Sequence, residues 1–271
     1  MACLASTACR PPADGPDVAA ALPTPAAVFD GSGGRWVDMS HAFSPETIYW
    51  PTDESGFQFE ELAFGETDLG YFYSAYRFST AEHGGTHLDA PLHFSRQGQA
   101  VADIPIDRLI GPAVVVDVSG RATPDYLVSV ADLEGFEAVH GRIPAGAILL
   151  LRTGWGERWP DRAAYLGTAT LGPAGIPELH FPGLGPEAAR WIVANRAIGA
   201  LGIDTPSIDY GQSADFETHV VIYGAGIPGF ENVANLGELP PTGGFVVALP
   251  MKIAGGSGAP LRIAGFIPDP Q

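Results

Sequence analysis

Three of the chain's seven histidines fall inside eleven residues, in the run His83-Gly84-Gly85-Thr86-His87-Leu88-Asp89-Ala90-Pro91-Leu92-His93-Phe94. Imidazole and carboxylate together suit zinc, manganese or iron, and the run offers no soft donor. The His83–His87 spacing equals that of the helical zinc pair of metalloproteases. Gly84, Gly85 and Pro91 disfavour a helix, however, and no glutamate follows His83. With a period of two, His83, Gly85, His87, Asp89, Pro91 and His93 point one way, opposite Gly84, Thr86, Leu88, Ala90, Leu92 and Phe94. On a strand His87 and Asp89 lie ~7 Å apart, within reach of one ion, whereas His83 and His87 lie ~13 Å apart. Gly84-Gly85 can supply the bend that closes this gap, and Ala90-Pro91 the turn that folds His93 back. A single histidine is usually satisfied in a core or on a surface. Three with an aspartate on one face are not explained that way, because imidazoliums repel and a buried carboxylate is costly.

A site holding two ions needs more ligands, and His219 and Glu231 stand out downstream, bracketing a hydrophobic, Gly/Pro-rich stretch. Taken alone, His219 reads more readily as a satisfied buried histidine. His83-Gly84-Gly85 also resembles the oxyanion loop of serine esterases, which requires a Gly-x-Ser-x-Gly elbow. Gly211-Gln212-Ser213-Ala214-Asp215 and Gly255-Gly256-Ser257-Gly258-Ala259 both lack the final glycine, so that chemistry is disfavoured.

From Arg35 onward the chain reads as alternating strands and helices punctuated by glycine and proline. Strands are expected at Trp36–Asp38, Tyr71–Ser79, Ala113–Val118, Ala147–Arg152, Ala197–Ile203, Phe245–Pro250 and Leu261–Phe266. The Val/Ile-rich runs without alternation read as strands buried on both faces. Ser129, with Asp132 three residues on, can cap a helix to about Val139. Pro186 fits the first position of a helix to about Arg196, and Asp161–Leu166 suits a short one. The pattern predicts an α/β class with a mixed sheet in a single domain. The two cysteines, Cys3 and Cys9, both precede this body, which therefore has neither disulfide nor thiolate site. A net charge of −17 repels phosphate backbones and argues against a nucleic-acid partner. No run of ~18 apolar residues offers a membrane span.

The run from His83 to Phe94 resembles the signature of the cyclase family, which includes bacterial kynurenine formamidases and isatin hydrolases. Gly202-Ile203-Asp204-Thr205-Pro206-Ser207-Ile208-Asp209 resembles it as well, as does His219 followed twelve residues later by Glu231 in Phe230-Glu231-Asn232-Val233-Ala234-Asn235-Leu236. The resemblance extends from about Val37 to Ile267. It implies a swivelling β/β/α-type fold, with residues 35–271 as a metal-dependent hydrolase domain, and homodimers or homotetramers.

The resemblance also implies roles. His83, His87 and Asp89 would bind one divalent ion. Asp89 and Glu231 would bridge to a second ion, with His219 as its further ligand. His93 would carry protons, and Trp50, in Tyr49-Trp50-Pro51, would stack on substrate. The expected cofactor is two zinc ions, with manganese as the alternative. The expected reaction is arylformamidase, converting N-formyl-kynurenine and water to kynurenine and formate. Isatin hydrolase-like opening of a cyclic amide or lactone is the alternative, and a non-catalytic metal-binding module is a second. The substrate would be a small aromatic amide. Tyr71, Phe72, Tyr73, Tyr76, Phe94 and Trp155 are further aromatics that suit it. Asp204 fits two roles equally, orienting a ligand or capping the loop after a strand. Residues 1–34 read as a disordered leader or the remnant of a secretion signal. A cytoplasmic location is favoured, with an exported lipoprotein as the alternative should Cys9 be lipidated.

Overall fold

The computed structural model describes residues 25–270. Cys9 and most of the expected leader, residues 1–24, lie outside the described residues. The elements in chain order are α1 (Pro25–Phe29), β1 (Gly34–Asp38), β2 (Gln58–Glu66), β3 (Phe72–Ser79), β4 (His87–Asp89), β5 (Ile110–Asp117), β6 (Leu127–Val128), α2 (Val130–His140), β7 (Ile148–Arg152), α3 (Arg162–Leu166), β8 (Gly183–Leu184), α4 (Pro186–Asn195), β9 (Ala200–Ile203), α5 (Glu217–Gly224), β10 (Gly229–Glu231), β11 (Phe245–Pro250) and β12 (Gly258–Pro268). The fold is α/β with a mixed sheet in one domain.

The sheet closes on itself. Its order runs β12-β11-β5-β7-β9-β10-β4, and β4 pairs back onto β12, giving a seven-stranded barrel with β1 added outside β12. β5, β7, β9 and β10 are parallel neighbours, and the remaining joins are antiparallel. Closure depends on the length of β12. Its first residues pair with β4, its middle with β11, and its last with β1.

The apolar runs of β5 and β7 are buried on both faces, as parallel strands with helices outside must be. Val115, Ile148 and Leu150 point into the barrel with Leu88, Phe230 and Ile263. Val114, Val116, Leu149 and Leu151 point outward and pack under α2, α4 and α5 through Leu133, Ile192 and Ile222. The helix ends follow local chemistry. Ser129 and Asp132 form a reciprocal capping box on α2. Pro186 takes the first turn of α4, and the Asp161 side chain caps α3.

β2 and β3 form a separate two-stranded ribbon. Its aromatics are exposed, with Phe64 at 64% and Tyr73 at 52%. Tyr71, Phe72, Tyr73 and Tyr76, expected to suit an aryl substrate, are exposed here and do not line the cavity that holds the histidine run. The ribbon is a separate sheet and neither of its faces is covered by the described residues. Trp155 is also no pocket residue. It is buried with Tyr165 and Phe181, and its indole N–H donates to the Tyr165 carbonyl at 2.8 Å.

Candidate metal centre

The histidine run starts in an irregular segment and becomes strand only at β4, which is held on both edges by β10 and β12. Two-residue alternation operates there. Leu88 is fully buried in the barrel core while His87 and Asp89 face the other side. Gly85, at φ +57°, makes the bend before the strand, and its N–H donates to the Ile48 carbonyl at 3.0 Å. That bend brings His83 Nδ1 to 2.6 Å from Asp89 Oδ1. After the extended Ala90, a 3-10 turn over Pro91–His93 folds the chain back. His93 then stacks on His83 with ring centroids 3.8 Å apart. The turn also ends the alternation, so Phe94 faces the site, 4.5 Å from His219 by ring centroids.

His219 comes from α5 and Glu231 from the end of β10. His219 Nε2 lies 3.3 Å from Glu231 Oε1 and 3.7 Å from Asp89 Oδ2. His87 Nε2 lies 3.1 Å from Asp89 Oδ1 and 3.4 Å from Glu231 Oε2. The structure thus brings His83, His87, Asp89, His93, His219 and Glu231 together. Trp50 lines the same cavity of about 270 Å³, with Phe94 and Phe216.

The donor set fits a divalent cation. His87 Nδ1 donates to the Gly85 carbonyl at 3.0 Å. His219 Nδ1 donates to Asp209 Oδ2 at 2.6 Å. Each ring is thereby held in the tautomer that turns its Nε2 lone pair on the two carboxylates. His87 Nε2 is buried and has no hydrogen-bond partner. Among the described residues, His83, His87 and Asp89 form one group able to hold an ion, and Asp89, His93 and His219 form another, sharing Asp89.

The electrostatics point the same way. Burial alone would lower the His87 imidazole, but Asp89 and Glu231 outweigh it and raise its pKa to about 9. Burial likewise opposes the charge on His219, yet Asp209, Asp89 and Glu231 hold its pKa well above the usual imidazole range. Asp89 is buried too, and His87, His219 and His83 hold it well below the ordinary carboxylate value. Glu231 is raised, by burial first and then by the charge of Asp89. The cluster is a buried anionic well that draws positive charge. His93 differs. Burial lowers it to about 4, so it is neutral at neutral pH.

Several partners escaped the sequence reading. Tyr223 donates to Asp89 Oδ2 at 2.8 Å from one turn beyond His219 on α5. Asp209, five residues from Asp204, is the carboxylate that touches a histidine. Asp204 accepts from the Thr153 and Gly154 backbone N–H groups, both at 2.8 Å, and so caps the loop after β7. The i, i+4 spacing of His219 and Tyr223 was the available signal for the tyrosine, had α5 been read as a helix.

The Cyclase family model matches residues 37–210. Isatin hydrolase of Roseibium aggregatum is 32% identical over 210 residues, 73% of this chain and 77% of that one. Kynurenine formamidase of Salinibacter ruber is 31% identical, covering 86% of this chain and 99% of that one. The solved structure of isatin hydrolase A from Ralstonia solanacearum superposes with a TM-score of 0.79 at 35% identity, covering 89% of this chain and 95% of that one.

Proposed function

The chain belongs to the cyclase family of metal-dependent hydrolases, and on that premise we propose that it hydrolyses the C–N bond of a small aromatic amide. The observation that carries this reading is the buried, unpartnered His87 Nε2 turned on Asp89 and Glu231 under a cavity walled by Trp50, Phe94 and Phe216. We assign His83, His87 and Asp89 to one divalent ion. Asp89, Glu231 and His219 hold the second. Asp89 suits the shared position, because its Oδ1 faces His83 and His87 while its Oδ2 faces Tyr223 and His219. Zinc is the first candidate for an imidazole–carboxylate set and manganese the second.

A divalent ion there supplies a water that ionises near neutral pH and an electrophile for the substrate carbonyl. The chain's own groups do the rest. His93 is held neutral and at the mouth of the cluster by its stack on His83. It takes the proton released on attack and returns it to the leaving aniline nitrogen, which departs poorly unprotonated. Trp50, braced by Phe181 and Phe216 at centroid distances of 6.3 and 6.2 Å, receives the aryl ring. A metal-binding module without catalysis would use His93 only as a further ligand beside Asp89 and His219, so a His93 variant that keeps metal but loses turnover separates the two readings.

N-formyl-kynurenine, cleaved to kynurenine and formate, is the first substrate to test. The 35% identity to isatin hydrolase A supports a second reading, opening of a cyclic amide such as isatin. The test is to measure bound metal, then assay both compounds before and after chelation. Activity should vanish with the metal and return on adding it, and unchanged turnover without metal refutes the mechanism. His93→Ala should keep the metal and lose turnover by roughly 10²–10⁴-fold.

The chain is further proposed to form homodimers or homotetramers. A two-stranded ribbon is marginal by itself, and Phe57, Phe59, Tyr76 and Phe78 stack into an aromatic face on this one. A second copy would cover that face. Light scattering after gel filtration should give a multiple of 28.3 kDa, and a monomer refutes the assembly. Among the described residues no helix is long and apolar enough to cross a membrane.

A further inference from the structure

We infer that Glu82 and Ser257 are positioning residues that dictate which nitrogen His83 presents to the cluster; the inference rests on the metal reading of the site. Ser257 Oγ lies 2.7 Å from Glu82 Oε2 and 2.9 Å from His83 Nε2. The Ser257 backbone N–H donates to the same Glu82 oxygen at 3.0 Å. A hydroxyl has one proton and a carboxylate can only accept, so the Ser257 proton belongs to Glu82. Ser257 can then only accept from His83, which places a proton on His83 Nε2. Nδ1 is left to face Asp89 Oδ1 at 2.6 Å and whatever cation the two share. His87 and His219 are held by acceptors on Nδ1 and present Nε2. His83 is held by an acceptor on Nε2 and presents Nδ1.

The backbone around Ser257 is built for this contact. A Cβ on Gly256 would stand 2.7 Å from Glu82 Oε1, and one on Gly258 would stand 2.5 Å from His83 Cε1. Only glycine on each side lets the carboxylate and the imidazole reach the serine together. The segment is also tied to the signature. Gly258 pairs with Asp89 in the sheet register, and the Ala90 N–H donates to the Ser257 carbonyl at 2.8 Å.

Ser257, His83 and Asp89 have the connectivity of a nucleophile triad. The proton direction is the reverse, since the Ser257 proton goes to Glu82 and not to the imidazole. Ser257 also does not line the cavity. Its role is orientation.

The test uses the full chain, freed of metal and titrated with Zn²⁺ against a chromogenic chelator. Ser257→Ala should weaken one equivalent by roughly 10–100-fold. Ser257→Thr, which keeps the hydroxyl, should stay within about threefold. Glu82→Ala should move in the direction of Ser257→Ala, because the freed hydroxyl can then donate to Nε2. The metal-free unfolding midpoint should stay within about 2 °C throughout, which separates orientation from loss of structure. In the Zn²⁺-loaded wild type, long-range ¹H–¹⁵N spectra should show the His83 proton on Nε2. Wild-type affinity in Ser257→Ala, or a proton on Nδ1, overturns the positioning role alone. Failure of the wild type to take up Zn²⁺ or Mn²⁺ overturns the metal reading beneath it.

Discussion

Replacing Asp209 by asparagine tests how His219 is prepared for the second ion proposed above. Asp209 is buried and takes four donors. Ser213 Oγ at 2.8 Å and the Thr218 N–H at 3.3 Å meet Oδ1; the His219 backbone N–H at 3.0 Å and its Nδ1–H at 2.6 Å meet Oδ2. An asparagine keeps one acceptor oxygen. If that oxygen replaces Oδ2, the Thr218 N–H faces an NH₂ group and a buried donor goes unmet, at about 1–3 kcal/mol. If it replaces Oδ1, the NH₂ donates to His219 Nδ1 and pushes the ring proton to Nε2. That nitrogen faces Glu231 Oε1 and Asp89 Oδ2, so the lone pair meant for the ion is lost. Either orientation also removes the carboxylate that raises the basicity of the ring. The expected loss is roughly 10–100-fold in affinity, about 1.4–2.8 kcal/mol, for the equivalent held by His219. The equivalent at His83 and His87 should stay within about threefold, since neither ring touches Asp209. Titration of metal-free Asp209→Asn with two equivalents of Zn²⁺ reads both steps. Two wild-type steps, or equal weakening of both, would refute the argument.

If Trp50 takes the proposed place against the substrate ring, Trp50→Ala should raise KM about tenfold while kcat stays within about threefold. Steady-state kinetics check this, and a fall in kcat at constant KM would remove Trp50 from binding. Glu137→Gln should lower stability by about 1–3 kcal/mol at pH 7, since it removes the charge and one acceptor from the Arg196 guanidinium, whose side chain is only 7% exposed and keeps only the Asn195 carbonyl, the Trp191 ring and one amide oxygen. Burial works against the Glu137 carboxylate, but Arg196 and the Ile143 N–H outweigh it and hold its pKa below the usual range. Its contribution is therefore present above about pH 4.3 and lost as pH falls through the depressed value. Denaturant melts should show the wild-type advantage closing in acid, and a constant gap would refute it.

Much of the site was legible because its determinants are local. Two glycines before a strand permit a sharp bend and a proline after it favours a turn, so His83 and His93 can fold onto His87 and Asp89 as the run suggests. The starts of α2, α3 and α4 were equally local: Ser129 and Asp161 cap the first two from the residue before the helix, and Pro186 sets the first turn of the third. α5 escaped because its cap is not local. The residue before it, Phe216, has no capping side chain, and the Thr218 and His219 N–H groups are met by Asp209, eight residues before Glu217. The barrel escaped for the same reason. Closure depends on β12 meeting β4 across more than 160 residues of chain, and no periodicity within either strand encodes that pairing. The ribbon aromatics misled because nearness to the histidine run in sequence does not say which face of the fold a side chain reaches.

The carboxylates show where residue type stops being informative. Asp204 and Asp209 lie in one segment, are both buried, and both accept several hydrogen bonds. Their environments differ in what donates to them. Every donor to Asp204 belongs to the Thr153-Gly154 loop, whereas one donor to Asp209 is an imidazole whose other nitrogen faces the cluster. The consequences separate accordingly. Burial raises the Asp204 carboxyl despite its hydrogen bonds. Burial of Asp209 is outweighed by His219, and its carboxyl is lowered. A carboxylate whose charge is spent on backbone amides fastens a loop. One whose charge is passed through an imidazole tunes a ligand, and only the fold decides which of the two a given aspartate becomes.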